Sequence, residues 1–567
     1  MNPPVSIATA RRATRVTWAA LALSATCAFA LGCRAPTRAA TLPPSAQDAP
    51  GALVYHLRAL DQRGMRVRVV IPQARVDALD DTLLVHLPLD HQQRSPVRRF
   101  RATTAGGQDL RVSALAPDRL LVHLEAREAL HLAYDVEPTF SALDATTRFE
   151  AFVTDGYFFV PGHSALIQFP HLWPGPQADV ITLSMEPGGG MLCSVEPGRT
   201  ALRRALDAAC VGGRLVRLQQ ELDATQRVVV HAPPHLRTHA EALLPVIARV
   251  LRAQSKELRS VPDRVVHVTL LARSDRAPPT GSGRSGGFVL ELHPDDPLDG
   301  ASWIDLIAHE NLHRLIGHWI TFSDVEPWRT AWFLEGITEY LAQRALLRAG
   351  LTDTHRFLEH VALSADLVSE AHRERSNPRI PYDQGFLAGV ALDANAPGVL
   401  DALIERLATA GPSEPVSEAL LLDLLRELLG DASFERYLAW CCMADVPPLA
   451  ELWTALDLEP IYHLNPQPRF GVHLAEDERG WSVGRVEAHS AAERQGLRTG
   501  QRLAAAPTRT STRQGERLDI IITDERGQRS VALFATAGAG ERLSLRPRNP
   551  DPLRRALGAG PSAELAP

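Results

Sequence analysis

His309-Glu310-Asn311-Leu312-His313 is the stretch on which the reading of this chain turns. It lies in a run from Ser302 to Ile320 that holds no proline. That run places Ile304, Ile307, Leu312, Leu315 and Ile316 at apolar positions of helical period, which predicts one helix across it. Residues four apart share a helix face about one turn apart, so the two imidazoles can converge on one tetrahedral ion, Zn2+ taking imidazole nitrogens at about 2.0–2.1 Å. Glu310 then falls beside the ion, within reach of a proton on a water held there. The same pentad also arises in helices whose histidines merely pack, and a third ligand separates the two cases.

Downstream, Trp332-Phe333-Leu334-Glu335-Gly336-Ile337-Thr338-Glu339-Tyr340 has the amphipathic period of a second helix. Glu335 supplies a carboxylate, completing a His2Glu set that leaves one coordination position for water. Glu339, one turn later, can accept a hydrogen bond from a ligand histidine and orient it, or stand as an exposed salt-bridging group. Two neutral imidazoles and one carboxylate leave a bound Zn2+ positive, which draws the pKa of its water toward ~7.

Around this centre the text changes period twice. Between Leu53 and about residue 190, short alternating or β-branched runs recur at Tyr55-Leu60, Met65-Ile71, Thr82-Leu87, Leu120-Leu124, Leu130-Val136 and Tyr157-Val160, the pattern of a β-sandwich. His235–Ser255 reads as a helix, Val265-Leu271 as a buried strand, 281–287 as a Gly/Ser-rich turn and Phe288-Leu292 as another strand. Helical period then runs to about Leu458, and from Pro466 onward short strands form a small β-rich module. The expected domains are therefore 51–225 (β-domain), 226–465 (metal-binding domain) and 466–546 (C-terminal module), with 547–567 as a disordered tail.

The 567 residues, at roughly 150 per domain, agree with three to four units. Hydrophobic residues at 45% and charged residues at 22% exclude a wholly disordered chain and a multi-span membrane protein. A net charge of −6 without a basic block excludes an electrostatic grip on nucleic acid. Residues 1–32 read as an export signal, with Arg11, Arg12 and Arg15 ahead of the apolar stretch Val16–Leu31. Ala30-Leu31-Gly32-Cys33 resembles a bacterial lipobox. It implies a lipid anchor on Cys33, a tether over 33–50 and a place in the bacterial cell envelope. In that oxidising compartment Cys193 and Cys210 are close enough in sequence to staple one loop, whereas the neighbours Cys441 and Cys442 read as buried thiols.

Asp305-Leu306-Ile307-Ala308-His309-Glu310, the Glu335-Gly336 pair and Pro381-Tyr382-Asp383-Gln384-Gly385-Phe386 resemble the gluzincin metallopeptidases of the aminopeptidase N and leukotriene A4 hydrolase type. With the β-rich start and the C-terminal module, the order is most similar to the glycyl aminopeptidase family. That resemblance implies an N-terminal β-sandwich, a thermolysin-like catalytic domain of α/β and helical parts, and a PDZ-like β-module. It implies one Zn2+ per chain, held by His309, His313 and Glu335, with Glu310 as general base. It also implies a peptide or protein substrate and Tyr382 as the phenol that donates to the tetrahedral oxyanion.

A Gly-rich substrate strand is read at Gly286, Gly287 and Phe288. Where the family carries an amine-gripping glutamate, this chain has Val289, with Glu291 two residues on and on the same face. An endopeptidase using the same site is therefore an alternative to an aminopeptidase. In the C-terminal module, Phe470, Gly471 and Val472 resemble a PDZ carboxylate loop, and Ser490–Gly500 resembles the segment that follows it. That gives a groove for a C-terminal peptide, and a non-catalytic peptide-binding envelope lipoprotein as a further alternative.

Overall fold

The computed structural model describes residues 52–557 apart from 145, 155, 173–179, 187–189, 260, 262, 276–278, 297–299, 324–328, 375–379, 411–414, 442–447, 470–471, 478–479, 487–490, 505–506, 513–514, 525–526 and 535. Cys33, the signal 1–32, the tether, Phe470, Gly471 and Cys442 thus lie outside the described residues. The chain forms two compact units, Met1–Asp457 with Asn549–Pro567, and Leu458–Arg548.

In the first unit, the β-rich start builds three sheets around one core rather than a two-sheet sandwich. Six strands run in the order Gly198–Ala201, Val180–Met185, Leu53–Leu60, Gly64–Ile71, Leu130–Val136, Val97–Thr104. Four more run Met191–Cys193, Ala209–Gly213, Tyr157–Pro161, Phe152–Thr154, and a third sheet joins Thr82–His86, Arg119–His123 and Val112–Ala116. Tyr55, Val67, Leu83, Val122, Phe158 and Val160 from all three sheets share the core. Cys193 and Cys210 are register partners on neighbouring strands and are joined as a disulfide.

The next sheet carries the chemistry. Its strands are β1 (Val216–Glu221), β2 (Arg227–Ala232), β3 (Val265–Ala272), β4 (Thr280–Arg284) and β5 (Gly287–Leu292), in the order β1-β2-β3-β5-β4. Since β1 belongs here, the domain boundary falls before Val216 and not at 225. β2, β3 and β5 run parallel as continuous apolar strands, and β4 returns antiparallel at the edge. The segment read as a turn is therefore mostly a strand. Gly281 and Gly283 hide its β character, because their value here is close approach and not propensity.

Five helices follow in the argument: α1 (Arg237–Ala253), α2 (Gly300–Leu312), α3 (Thr338–Arg348), α4 (Thr354–Glu374) and α5 (Ile380–Asn395). α2 stops at Leu312 and does not run to Ile320. Gly317 takes φ +116° and its amide bonds back to Ile320, so the chain turns directly after the pentad. Trp332–Ile337 forms a π-helical turn ahead of α3. The expected disordered tail is corrected as far as Leu557, residues 558–567 lying outside the described ones: Pro550–Leu557 is a helix that buries Leu553, Ala556 and Leu557, and the Leu557 carbonyl accepts from Arg348 Nε at 2.6 Å.

The second unit begins at Leu458, earlier than the expected 466. It contains a long ribbon of Leu458–Arg469 against Thr536–Pro547 and a sheet built from Val472–Asp477, Gly480–Val486, Arg502–Leu503, Thr508–Thr512, Gly515–Asp524 and Gly527–Phe534. Ala492, Leu497, Leu518, Ile520, Ile522, Val531 and Leu533 form its core. Val472 opens the first strand of that sheet.

Candidate metal centre

α2 delivers His309 and Glu310 from its last turn and His313 just beyond its end. The helix is anchored from behind by a polar network that sequence reading missed. Gln254 donates to the Ala308 carbonyl at 2.7 Å and accepts from Asn311 Nδ2 at 2.9 Å. Arg314 donates to Asn311 Oδ1 at 3.1 Å and pairs with Asp263 at 3.3 Å. Asn311 is fully buried, so its amide needs these partners. In front, β4 packs on the pentad. A β-carbon at Gly281 would lie 2.5 Å from Glu310 Cγ, and one at Gly283 would lie 2.2 Å from His313 Cβ. Only glycine permits the strand to come this near.

The imidazole Nε2 atoms of His309 and His313 lie 3.0 Å apart, and Glu335 Oε2 stands 3.4 Å from each. A tetrahedral ion with ligands at 2.0–2.1 Å sets its donor atoms about 3.3 Å apart, so this triangle fits one Zn2+ with a corner left open. The other ring nitrogens are engaged. His313 Nδ1 donates to the Ile316 carbonyl at 3.1 Å, which leaves Nε2 as the free lone pair. His309 Nδ1 faces Glu339 Oε2 at 2.9 Å. Glu339 in turn meets His360 Nε2 and Gln343 Nε2, each at 3.3 Å, so it is a partly buried member of a network and not a surface charge.

Electrostatics agree with a site built for a cation. Burial works against charge on His309, yet Glu335 and Glu339 push it up to about 10. Burial likewise opposes ionised Glu335, and His313 with His309 holds it well below the usual carboxylate range. These carboxylates demand positive charge, and in the absence of an ion protons supply it. Glu310 is raised, by burial first, against the pull of His309 and His313.

Tyr382 enters from the first turn of α5. Its ring stacks on His309 with centroids 6.4 Å apart, and burial followed by the Glu335 charge raises its hydroxyl well above the ordinary phenol range.

The expected substrate strand is not brought to the site's edge. Gly286 sits in the β4–β5 turn at φ +77°, and Gly287 and Phe288 lie in β5, whose two edges are already paired with β3 and β4. A strand paired on both sides cannot accept another, so the open edge belongs to β4. Glu291 is buried in ion pairs with Arg148 at 3.2 Å and Arg273 at 3.8 Å.

Residues 302–379 match the family model described as M61 glycyl aminopeptidase. No curated protein matches the chain. Among solved structures, an aminopeptidase N family protein from Idiomarina loihiensis is similar with a TM-score of 0.61 at 15% identity, over 89% of this chain and 100% of that one. An M1 zinc metallopeptidase from Deinococcus radiodurans is similar over 70% of this chain and 95% of its own, at 17% identity and a TM-score of 0.48. The first likeness shows a common fold. The family match falls on the segment that holds His309, Glu310, His313 and Glu335. Over that segment the chain resembles the glycyl aminopeptidase family, and over most of its length it shares the fold of an aminopeptidase N family protein, which supports a peptidase, a hydrolase by class.

Proposed function

We propose that this chain hydrolyses peptide bonds with one zinc ion held by His309, His313 and Glu335, with Glu310 as general base and Tyr382 as oxyanion donor. One observation carries the reading: three donor atoms face one point at tetrahedral spacing, with Glu310 buried beside them. Zinc at that point supplies a Lewis acid and lowers the pKa of water toward ~7.

Glu310 takes the proton of the attacking water and returns it to the departing amine. It is buried beside the three donor groups, where a carboxyl can accept a proton and hand it on. Tyr382 stays protonated and donates to the substrate carbonyl oxygen as charge gathers there. The open edge of β4 aligns an extended peptide through backbone hydrogen bonds.

The test is metal analysis and a peptide-library digest of the purified chain, with and without chelator. Stoichiometric zinc and chelator-sensitive cleavage are expected, and a zinc-loaded chain that cleaves no peptide would refute the proposal. An endopeptidase at the same site is favoured by the engagement of Glu291 with two arginines, which takes that acid away from amine binding. Turnover of N-acetylated peptides at rates similar to free-amine ones distinguishes it.

The sequence pattern further supports an envelope lipoprotein anchored at Cys33, and a C-terminal module that captures carboxyl-terminal peptides in a PDZ-like groove. Mass spectrometry of the N-terminal peptide checks the first through the diacylglycerol on Cys33.

A further inference from the structure

The six-stranded sheet of the β-rich domain buries one face and exposes another that is built from arginines. Register sets Arg66 and Arg98 on either side of Asp135, and the next outward step sets Arg68 and Arg101 on either side of Ala133. Arg58 lies opposite Arg66 on the neighbouring strand. Leu57, Val67, Ala102 and Tyr134 alternate with these positions and fill the core, so the arginines point outward, and Arg58, Arg68, Arg98 and Arg101 are exposed. Between Arg98 and Arg101 the register slips, with Arg99 at φ +53°. That bulge turns Phe100 inward onto Tyr134 while Arg98, Arg99 and Arg101 all keep to the outer face. A left-handed backbone is costly for a long side chain and persists only where its surroundings impose it.

Three acids answer these six arginines. Asp135 is shared by Arg66 at 2.7 Å and Arg99 at 2.8 Å, Glu137 also pairs with Arg99, and Glu186 pairs with Arg58 at 3.2 Å. Arg98 donates to the Ser95 and Val97 carbonyls, and neither it nor Arg68 nor Arg101 meets a carboxylate among the described residues. A face that serves only solubility mixes both signs, whereas here three strands carry one sign in excess, on a chain whose formal net charge is −6. His56, opposite Arg68, feels that field: burial first, then Arg68 and His131, lower its pKa.

The place of this sheet in the chain decides the partner. Leu53–Leu60 is one of its inner strands and the first described strand of the protein, and it follows the segment 33–50 read as a tether from Cys33. A tether of that length reaches at most about 60 Å when fully extended, so an acylated Cys33 keeps the arginine face within reach of a bilayer. Each arginine close to an anionic membrane surface strengthens binding about fivefold, and a chain already held nearby makes those contacts at high effective concentration.

We propose that the outer face around Arg68, Arg98 and Arg101 docks on the anionic phospholipid headgroups of the membrane to which the chain is tethered, and so fixes how the β-rich domain sits on the bilayer. This goes beyond the peptidase reading and takes its membrane from the lipid anchor read at Cys33. Lipid phosphate oxygens accept paired hydrogen bonds from a guanidinium. Arg68 and Arg101 stand two strand spacings apart, about 10 Å, and the small Ala133 between them puts no long side chain in the way.

The experiment sediments the chain from residue 33 onward, with Cys33→Ser so that no acyl group contributes, with vesicles of phosphatidylcholine alone or mixed with phosphatidylglycerol. Binding to the anionic vesicles is expected to be at least tenfold tighter than to the neutral ones, and to weaken as salt is added. Arg68→Gln with Arg101→Gln is expected to lose at least tenfold of that binding at an unchanged melting temperature, while lysine at both positions keeps most of it. Arg98→Gln carries the measurement if the double variant does not fold. Equal binding to the two kinds of vesicle, or undiminished binding by the folded glutamine variants, overturns the docking face. Tighter binding to a soluble acidic polysaccharide than to the vesicles overturns it too, since the face then serves another polyanion. Arginine-dependent vesicle binding, alongside a native N-terminus that carries no diacylglycerol, keeps the face and refutes only the anchor.

Discussion

Gly336 and Gly385 meet backbone to backbone. A β-carbon on Gly336 would lie 2.5 Å from Gly385 Cα, and one on Gly385 would fall 1.9 Å from the Trp332 carbonyl oxygen. Gly336 follows the proposed ligand Glu335 in the π-helical turn, and Gly385 lies three residues after Tyr382 in α5. This crossing brings the Tyr382 phenol and the Glu335 carboxylate together from separate helices.

Gly385→Ala forces the two helices apart against rigid backbone. Overpacking of this kind costs about 1–3 kcal/mol. The thermal midpoint is expected to fall and zinc affinity to weaken with it. Unchanged melting together with unchanged zinc titration would show that the close crossing has no such role.

Tyr382→Phe keeps the ring on His309 and removes one donor. An oxyanion donor is worth about 3 kcal/mol, so kcat is expected to drop roughly a hundredfold with little change in KM. Glu310→Gln is expected to lose about 10²–10⁴-fold while zinc stays stoichiometric. Steady-state kinetics paired with metal analysis checks both, and loss of zinc in either variant contradicts the assigned roles.

Glu339→Gln leaves the three ligands in place but removes the charge that faces His309 Nδ1. Partners of this kind carry about 10–100-fold in metal affinity. Competition with a chromophoric chelator measures it, and an affinity within twofold of the parent chain would place Glu339 outside the metal site's support.

Replacing Cys193 and Cys210 by serine opens a loop with a sequence separation of 17. Closing a loop near that length is worth about 3 kcal/mol. The next residue, Ser194, donates to the Ser285 carbonyl at 2.6 Å in the β4–β5 turn, so the bridge also steadies the edge strand. Urea unfolding of the serine variant against the oxidised chain reads the loss, and coincident curves would contradict it.

Three imidazoles away from the metal ligands set an acid limit. Burial lowers His163 to about 4, His231 to about 3 and His267 to about 4. Neighbouring positive charge adds to this, from Arg284 at His163, from His267 at His231 and from Arg217 at His267. The unfolded chain protonates these groups below about pH 6.5, whereas the folded chain resists until pH nears 3–4. More protons are bound by the unfolded state in that window, so stability is whole above about 6.5 and declines as pH falls, by up to about 1.4 kcal/mol per pH unit for each imidazole. Urea midpoints between pH 4 and 7 are expected to fall more steeply for the parent chain than for His231→Gln with His267→Gln. Parallel slopes would sink the assignment.

The sequence by itself determined what depends on local period and spacing. Imidazoles four apart with a glutamate between them, a carboxylate and its glycine on the next helical run, and β-branched strands such as Val265-Leu271 are legible because neighbours in the chain produce them. Only the tertiary structure decided where α2 ends, that Gly281-Ser282-Gly283 is an edge strand, that Glu339 supports His309, and that Pro550–Leu557 folds back as a helix. It alone joined Arg148 to Gly281 and Gln254 to Asn311, over separations of 133 and 57 residues. The physical reason is that a glycine's strand conformation and a buried charge's partner are set by what packs against them, and no window along the chain contains that information.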